Sequence, residues 1–501
     1  MASLAKSYTQ EKLFGQIYTP NFIVCKILDD VGYNSSEILG KTIIDPACGD
    51  GRFLVEIVKR IMEFSPKSDL KKNLECVYGW DIDEIAVIEC RKNLNELIKS
   101  KDISVQWNIS VTNSIKKYEK PDLFAISNAQ KFDFIVGNPP YIRIQHLDLV
   151  QRNYIQNNYR FCKNGSTDIY IAFYELCIHL LSENGICGLI TPNTFLFTET
   201  ARPLRLHFAA NKNLLQITNY GDIQLFDDAT TYSAITIFNN RKNQKFKFQK
   251  ATSETIFEEK AIDFSELKEP FWQLTTDKTE TIEGKKLKEI CNIHVGITTL
   301  CDSAYIFPFE SIEEEYVWVN TKLKGCVKLE KEILKPIVKG SKLKHSNEEI
   351  KEFVLFPYRK VNGKNTIIPE NELKAKFPLA YDYLLSVKPE LDKRDNGKPN
   401  PVAWYAFGRS QGLDTSFGEK IIFSPMNAKP NFVLYSNPEC TFYSGYCIKK
   451  INGFCTDKLM VQLNSDRMDK FVSMSSRDFR GGWKAYNKKI IENFEIIEGH
   501  F

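Results

Sequence analysis

The sequence predicts an α/β protein whose first half is built on a mostly parallel sheet. Three stretches carry that reading. Ile43-Ile44, Val77–Trp80 and Phe132–Val136 are short apolar runs, each closed at once by turn residues, glycines or acids. Behind the first run comes a Gly-x-Gly turn, and then the spacing of Phe53, Leu54, Ile57 and Val58 gives one apolar helix face. In open sheets of this kind, ligands bind beyond the carboxyl ends of the strands, and the residues that close these runs are the ones with chemistry to offer.

In chain order, Phe14-Gly15-Gln16-Ile17-Tyr18-Thr19-Pro20 comes first. Thr19 suits a helix N-cap and Pro20 the first helical position, with Phe22, Ile23, Ile27 and Leu28 as the buried stripe. Thr42-Ile43-Ile44-Asp45-Pro46-Ala47-Cys48-Gly49-Asp50-Gly51 is the first strand and its loop. Gly49 and Gly51 permit a tight turn and close approach of backbone to a ligand, and Asp45 suits a cationic amine. The second strand ends in Asp81-Ile82-Asp83; an acid there commonly receives ribose hydroxyls, while Asp83 is the better helix cap. Val105–Val111 reads as a third strand and runs into Thr112-Asn113-Ser114. The fourth, Phe132–Val136, stops at Gly137-Asn138-Pro139-Pro140-Tyr141. Its two prolines fix φ and remove two donors, so neither strand nor helix continues there. That leaves an amide oxygen, carbonyls and a flat ring at a strand end, groups suited to a planar base with an exocyclic NH2. Residues 142–165 read as a polar loop with Arg143, Arg152, Arg160 and Lys163. Asp168–Leu181 reads as a helix ended by Glu183-Asn184-Gly185, and a strand starts at Gly185. Ile217–Ile223 and Ala234–Phe238 form a strand pair around Phe226–Ser233.

Composition sets the outer bounds. Of 501 residues, 43% are hydrophobic, enough for more than one core, and a net charge of +4 permits but does not argue for nucleic-acid binding. The N-terminus has no apolar core of signal-peptide length, and no apolar run is long enough to span a membrane, so a cytoplasmic protein is expected. Thirteen scattered cysteines and six histidines fit reduced thiols, with no disulfide framework and no metal constellation. Composition shifts near residue 240, which places a domain boundary there: 1–245 and 246–501, with a linker about 241–283. In the second half the lysine-rich run from Lys322 to Lys344 reads as a solvated face.

Asp-Pro-x-x-Gly-x-Gly after one strand and Asn-Pro-Pro-Tyr after another resemble the γ-ordered S-adenosylmethionine-dependent DNA N6-adenine methyltransferases of the Taq-like and Eco57-like restriction-modification type. The resemblance implies a Rossmann-like class I methyltransferase domain with an antiparallel end to its sheet, followed by a mixed α/β target-recognition domain. It assigns S-adenosylmethionine to Tyr18, Thr19, Pro20, Asp45, Ala47, Gly49, Gly51, Asp81, Ile82, Asn113, Ser114, Pro140 and Phe173. Asn113 departs from the more usual Asp of the family. Catalysis falls to Asn138, Pro139, Pro140 and Tyr141, and the flipped base to Tyr141 and Phe226. Trp404–Arg409, Lys429–Phe432 and Phe479–Lys484 resemble recognition-domain segments more loosely, and Arg143, Arg409, Trp483 and Lys484 are the expected DNA contacts. The implied activity is site-specific adenine-N6 methylation of double-stranded DNA by direct transfer, with no metal. Cytosine N4 is the alternative base, and RNA or protein glutamine a more distant substrate. The short segment before the first motif leaves too little room for a fused nuclease, so a nuclease partner, if one exists, is expected on a separate chain.

Overall fold

The computed structural model describes residues 18–117, 130–226, 232–267, 271–272, 274–276, 284–450, 454–476, 478–479 and 481–497. Phe14–Ile17 of the first motif and Arg480 lie outside the described residues. The chain divides into two units, Met1–Thr279 and Glu280–Phe501.

The first unit is a nine-stranded sheet flanked by helices. Its strands are β1 (Ile43–Asp45), β2 (Val77–Asp81), β3 (Asn108–Val111), β4 (Phe132–Gly137), β5 (Leu181–Pro192), β6 (Leu214–Asn219), β7 (Ser233–Asn239), β8 (Lys245–Ala251) and β9 (Phe257–Asp263). They lie in the order β3-β2-β1-β4-β5-β7-β6-β8-β9. Pairing from β3 through β5 is parallel, β7 runs antiparallel to both its neighbours, and β9 runs antiparallel to β8. This is a Rossmann-like architecture with an antiparallel end.

Alternation along the central strands explains why both faces are covered. Ile44, Ile135 and Leu189 enter one core, whereas Ile43, Val136 and Ile190 enter the other. Successive side chains of a strand point to opposite faces, so strands apolar at every position must be sandwiched. One face is closed by α1 (Asn21–Asp30), α2 (Arg52–Phe64) and α3 (Glu84–Ile98), the other by α5 (Tyr170–Leu180) and α6 (Arg202–Asn211). α5 buries Tyr170 through Cys177 without a break, so it is a core helix with no solvent stripe.

Three expectations change. The boundary at 245 falls at the start of β8, and β8 pairs in parallel with β6, so the sheet continues to Asp263. The pattern Lys245-Phe246-Lys247-Phe248 alternates with period two, with both phenylalanines buried and both lysines exposed. The polar loop at 142–165 contains a helix, α4 (Leu149–Asn158), capped by Asp148, whose Oδ1 accepts from Gln151 N at 2.9 Å. The helix before β5 ends at Leu180, and Gly185 lies inside the strand, where a Cβ would come within 2.8 Å of the Phe132 carbonyl oxygen.

The second unit is richer in β structure. Its six-stranded sheet has the order Gly325–Glu330, Tyr316–Thr321, Ile306–Ile312, Glu352–Leu355, Leu334–Lys339, Thr441–Tyr443. A four-stranded antiparallel sheet comprises Cys291–Val295, Tyr446–Lys450, Lys420–Phe423 and Phe432–Tyr435. The buried Arg394 organises one corner by donating to the carbonyls of Leu391, Trp404 and Ala406.

Candidate active site

Asp45, Asp81 and Gly137-Asn138 close three strands that are neighbours in the sheet, β1, β2 and β4. The register sets Ile43 beside Phe134 and Ile44 beside Ile135, so Asp45 meets the end of β4. Gly137 is required there, because a Cβ would sit 2.5 Å from Asp45 Oδ1. The two motifs that the sequence separates by 92 residues are thus packed edge to edge.

The glycine loop is tied down at each turn. Asp45 Oδ1 accepts from Ala47 N at 3.0 Å, Cys48 N donates to the Trp80 carbonyl at 2.9 Å, and Gly49 N donates to Asp81 Oδ2 at 2.8 Å. Gly49 and Gly51 hold φ of +51° and +92°, and a Cβ on Gly51 would lie 2.6 Å from Cys90 Sγ on α3. Glycine is needed at Gly51 on both counts, and the closeness lets α2 pack on α3.

Two neighbouring buried acids set the electrostatics of the loop. Asp45 is buried, and burial raises its carboxyl to about 8 against the Ala47 N–H; the charge that adds to the shift is another acid, Asp81. Asp81 is itself raised by burial, opposed by the N–H groups of Asp83 and Gly49. A cation beside this pair would relieve both.

Other residues of the cofactor side fall into three groups. Ile82 is half exposed. Tyr18 is also exposed and stacks on Arg52, its ring centre 4.9 Å from the guanidinium carbon. Three side chains serve the protein's own structure. Asn113 Oδ1 accepts from Ile115 N at 3.1 Å, turning the chain into a short helix, and Ser114 Oγ donates to the Pro46 carbonyl. Phe173 lies in the core that holds Trp80 and Ile115. Asp83 caps α3, its Oδ1 accepting from Ile85 N at 2.9 Å.

On the base side, Pro139 is buried and Pro140 half-buried. Tyr141 is half-buried against both cores; its hydroxyl donates to the Ile190 carbonyl at 3.3 Å, and its ring meets Tyr170 edge-on at 6.3 Å. Burial holds that phenol well above its ordinary value. Asn138 Nδ2 donates to Thr19 Oγ1 at 3.1 Å, a link no sequence spacing signals. Thr19 therefore does not cap α1; Pro20 stands at the cap position, its carbonyl accepting from Ile23 N and Val24 N. Phe226 departs from expectation. It is 2% exposed in the core with Tyr220 and Leu225, because an aromatic closing this strand region finds apolar neighbours behind the sheet.

Among the expected DNA contacts, Arg143 is exposed, in a segment bridged to Asp168 beside the catalytic loop. Trp483 is 48% exposed. Arg409 and Lys484 are engaged within the second unit. Both Arg409 terminal nitrogens reach Asp395, at 2.9 and 3.0 Å, and Lys484 Nζ lies 2.6 Å from Asp469 Oδ1 with little exposure. A basic residue with a well-placed acid within reach pairs with it, and sequence alone does not reveal that acid. In the lysine run, Lys328 pairs with Glu313 at 2.8 Å and lies over Tyr316.

Comparison with known proteins bears on this site directly. Residues 75–226, which span Asp81 and Asn138-Pro139-Pro140-Tyr141, match the Eco57I restriction-modification methylase family. The chain is 25% identical to the Type II restriction enzyme and methyltransferase RM.Eco57I of Escherichia coli, over 95% of this chain and 56% of that protein. It is 24% identical to the Type II methyltransferase M.BanIII of Aneurinibacillus aneurinilyticus, over 86% of this chain and 80% of that protein. It thus spans little more than half the length of the first relative and most of the second. Among solved structures, the Type IIL restriction-modification enzyme MmeI in complex with DNA shares the fold, with a TM-score of 0.58 at 13% identity, over 96% of this chain and 66% of that one. By the order of its motifs and by these matches, the chain is similar to the restriction-modification methyltransferases.

Proposed function

We propose that this chain is a site-specific DNA methyltransferase that takes methyl from S-adenosylmethionine and places it on adenine N6 of a flipped base. The observation that carries the reading is the adjacency of two chemistries on neighbouring strand ends. A cation-seeking pair of acids, Asp45 and Asp81, stands beside an amide, a proline carbonyl and a ring, Asn138, Pro139 and Tyr141. The residues fit the cofactor: a buried acid raised to about 8 suits its ammonium, the open turn at Gly49, with no side chain and nothing near the position a Cβ would take, permits close approach, and the exposed Ile82 suits its adenine. When bound, that cofactor supplies an electrophilic methyl group on sulfur.

The chain's own residues do the rest. An aromatic amine is a poor nucleophile because its lone pair is delocalised into the ring. Asn138 Oδ1 and the Pro139 carbonyl accept its two hydrogens, which favours the pyramidal nitrogen and frees the lone pair. Tyr141 offers a face for stacking, which offsets part of the few kcal/mol that extruding a base costs. Rate comes chiefly from proximity and orientation, and no covalent bond between protein and base is needed. The second unit is the target-recognition domain in this reading, with Trp483 and Arg143 the exposed candidates for DNA contact. In this reading the chain is the modification enzyme of a restriction-modification system, with a restriction endonuclease of the same specificity on a separate chain, or an orphan DNA methyltransferase.

Single-molecule sequencing of DNA from cells expressing the chain tests the reading. Modified adenine confined to one short sequence supports it. Modified cytosine would replace the assigned base, and unmodified DNA would turn attention to RNA or protein.

A further inference from the structure

We propose that Thr19 is a positioning residue for Asn138: its hydroxyl holds the carboxamide in the plane from which the amide oxygen meets the target amino group. The inference rests on the amino-methyltransferase reading above and goes beyond it by assigning this side chain to the base and not to the cofactor.

The geometry points this way on three counts. First, Thr19 is 4% exposed yet does not cap α1, whose first free N–H groups go to the Pro20 carbonyl. Its hydroxyl is directed instead at Asn138 Nδ2, 3.1 Å away across 119 residues of sequence. Second, Asn138 stands at the mouth of β4, where Pro139 and Pro140 remove the backbone donors that would otherwise steady a neighbouring side chain. Third, Thr19 also borders a cleft of about 260 Å³ with Asp50 of the glycine loop and Arg52 of α2, so it stands next to that loop as well as to Asn138.

The chemistry explains why such a restraint is worth having. A carboxamide has a donor end and an acceptor end related by a half-turn about its last torsion, and that torsion is soft. A hydroxyl can serve either end, so Thr19 fixes the plane; the incoming amino group, itself a donor, then selects the oxygen. With the amide turned the other way, two NH2 groups would face each other and the lone pair of the base nitrogen would stay in the ring. An apolar residue at this position would remove this restraint on the amide plane at the moment of transfer.

Thr19→Val keeps the volume and removes the hydroxyl. At saturating cofactor and duplex DNA, single-turnover methyl transfer should fall about tenfold, the scale of one hydrogen bond made usable in the transition state. Calorimetric affinity for S-adenosylmethionine should stay within about twofold, and Thr19→Ser should restore the rate. In an Asn138→Ala background, Thr19→Val should change nothing further, since two residues acting through one contact are not additive. Wild-type rates in Thr19→Val, a loss confined to cofactor affinity, or additive losses in the double variant would each overturn the assignment. Those outcomes leave methylation by the unaltered chain intact. If the unaltered chain transfers no methyl to DNA, the amino-methyltransferase reading falls, and the role of Thr19 with it.

Discussion

Asp45→Asn removes an ionisable carboxyl that a bound cation would draw into its charged form, and its effects should run in opposite directions for stability and for binding. Asp45 is 2% exposed, and burial lifts its carboxyl to about 8. The unfolded chain would hold it near the ordinary value of about 3.9. The fold therefore binds this proton more tightly than the unfolded chain does. The stability it contributes is complete below about pH 4 and is lost as pH rises to about 8, at up to ~1.4 kcal/mol per pH unit. Asparagine keeps the shape and can still accept from Ala47 N, but it has no proton to lose, so urea midpoints between pH 5 and 8 should flatten. Cofactor binding should suffer. Losing a charge-assisted hydrogen bond costs ~1.5–3 kcal/mol, or about 10- to 150-fold in affinity. A cation at Asp45 also draws the carboxyl back to its ionised form, so binding near pH 7 should release a proton, visible as a binding enthalpy that changes with the ionisation heat of the buffer. Unchanged affinity in Asp45→Asn, or an enthalpy independent of buffer, would refute the pairing of this acid with the cofactor's ammonium.

Other changes separate the remaining parts. Asn138→Ala deletes the acceptor and should cut single-turnover transfer by at least the ~10²-fold typical of losing one preorganised polar group, while calorimetry shows cofactor affinity little altered. Tyr141→Ala should weaken capture of the flipped base by about 1–3 kcal/mol, read by fluorescence of a base analogue in the duplex. Tyr141→Phe keeps the ring, losing only the bond to Ile190 at a cost of about 1 kcal/mol in folding stability. A chain ended at 240 removes β8 and β9 and leaves the paired edge of β6 open, so it should aggregate in light scattering, whereas one ended at 279 should remain monomeric.

Motifs in which a turn residue and a candidate functional residue coincide are readable from sequence. Gly51 needs its positive φ, Pro139 and Pro140 stop β4, and Asp81 closes β2; each leaves a local signature in the chain. What the sequence hid are contacts made across the sheet. Asn138 reaches Thr19, Gly137 clears space for Asp45, and Ser114 holds Pro46, and none of these pairs shares a local period. Residue type alone leaves two uses open for some side chains. Phe226 can close on a base or on a core, and the core surrounds it; Arg409 and Lys484 can meet phosphates, and each also has an acid, Asp395 or Asp469, within reach. The β8–β9 hairpin was visible in its alternation and was obscured by the basic composition of the same residues.

The central claim is that Asn138, Pro139 and Tyr141 present an exocyclic amino group of DNA to a methyl donor. The most direct measurement incubates the purified chain with S-adenosylmethionine carrying a labelled methyl group and with duplex DNA of varied sequence, then digests the DNA and identifies the labelled nucleoside by mass. The account predicts label in N6-methyldeoxyadenosine, lost in Asn138→Ala. Label in a carbon-methylated base, or full labelling in Asn138→Ala, would contradict it.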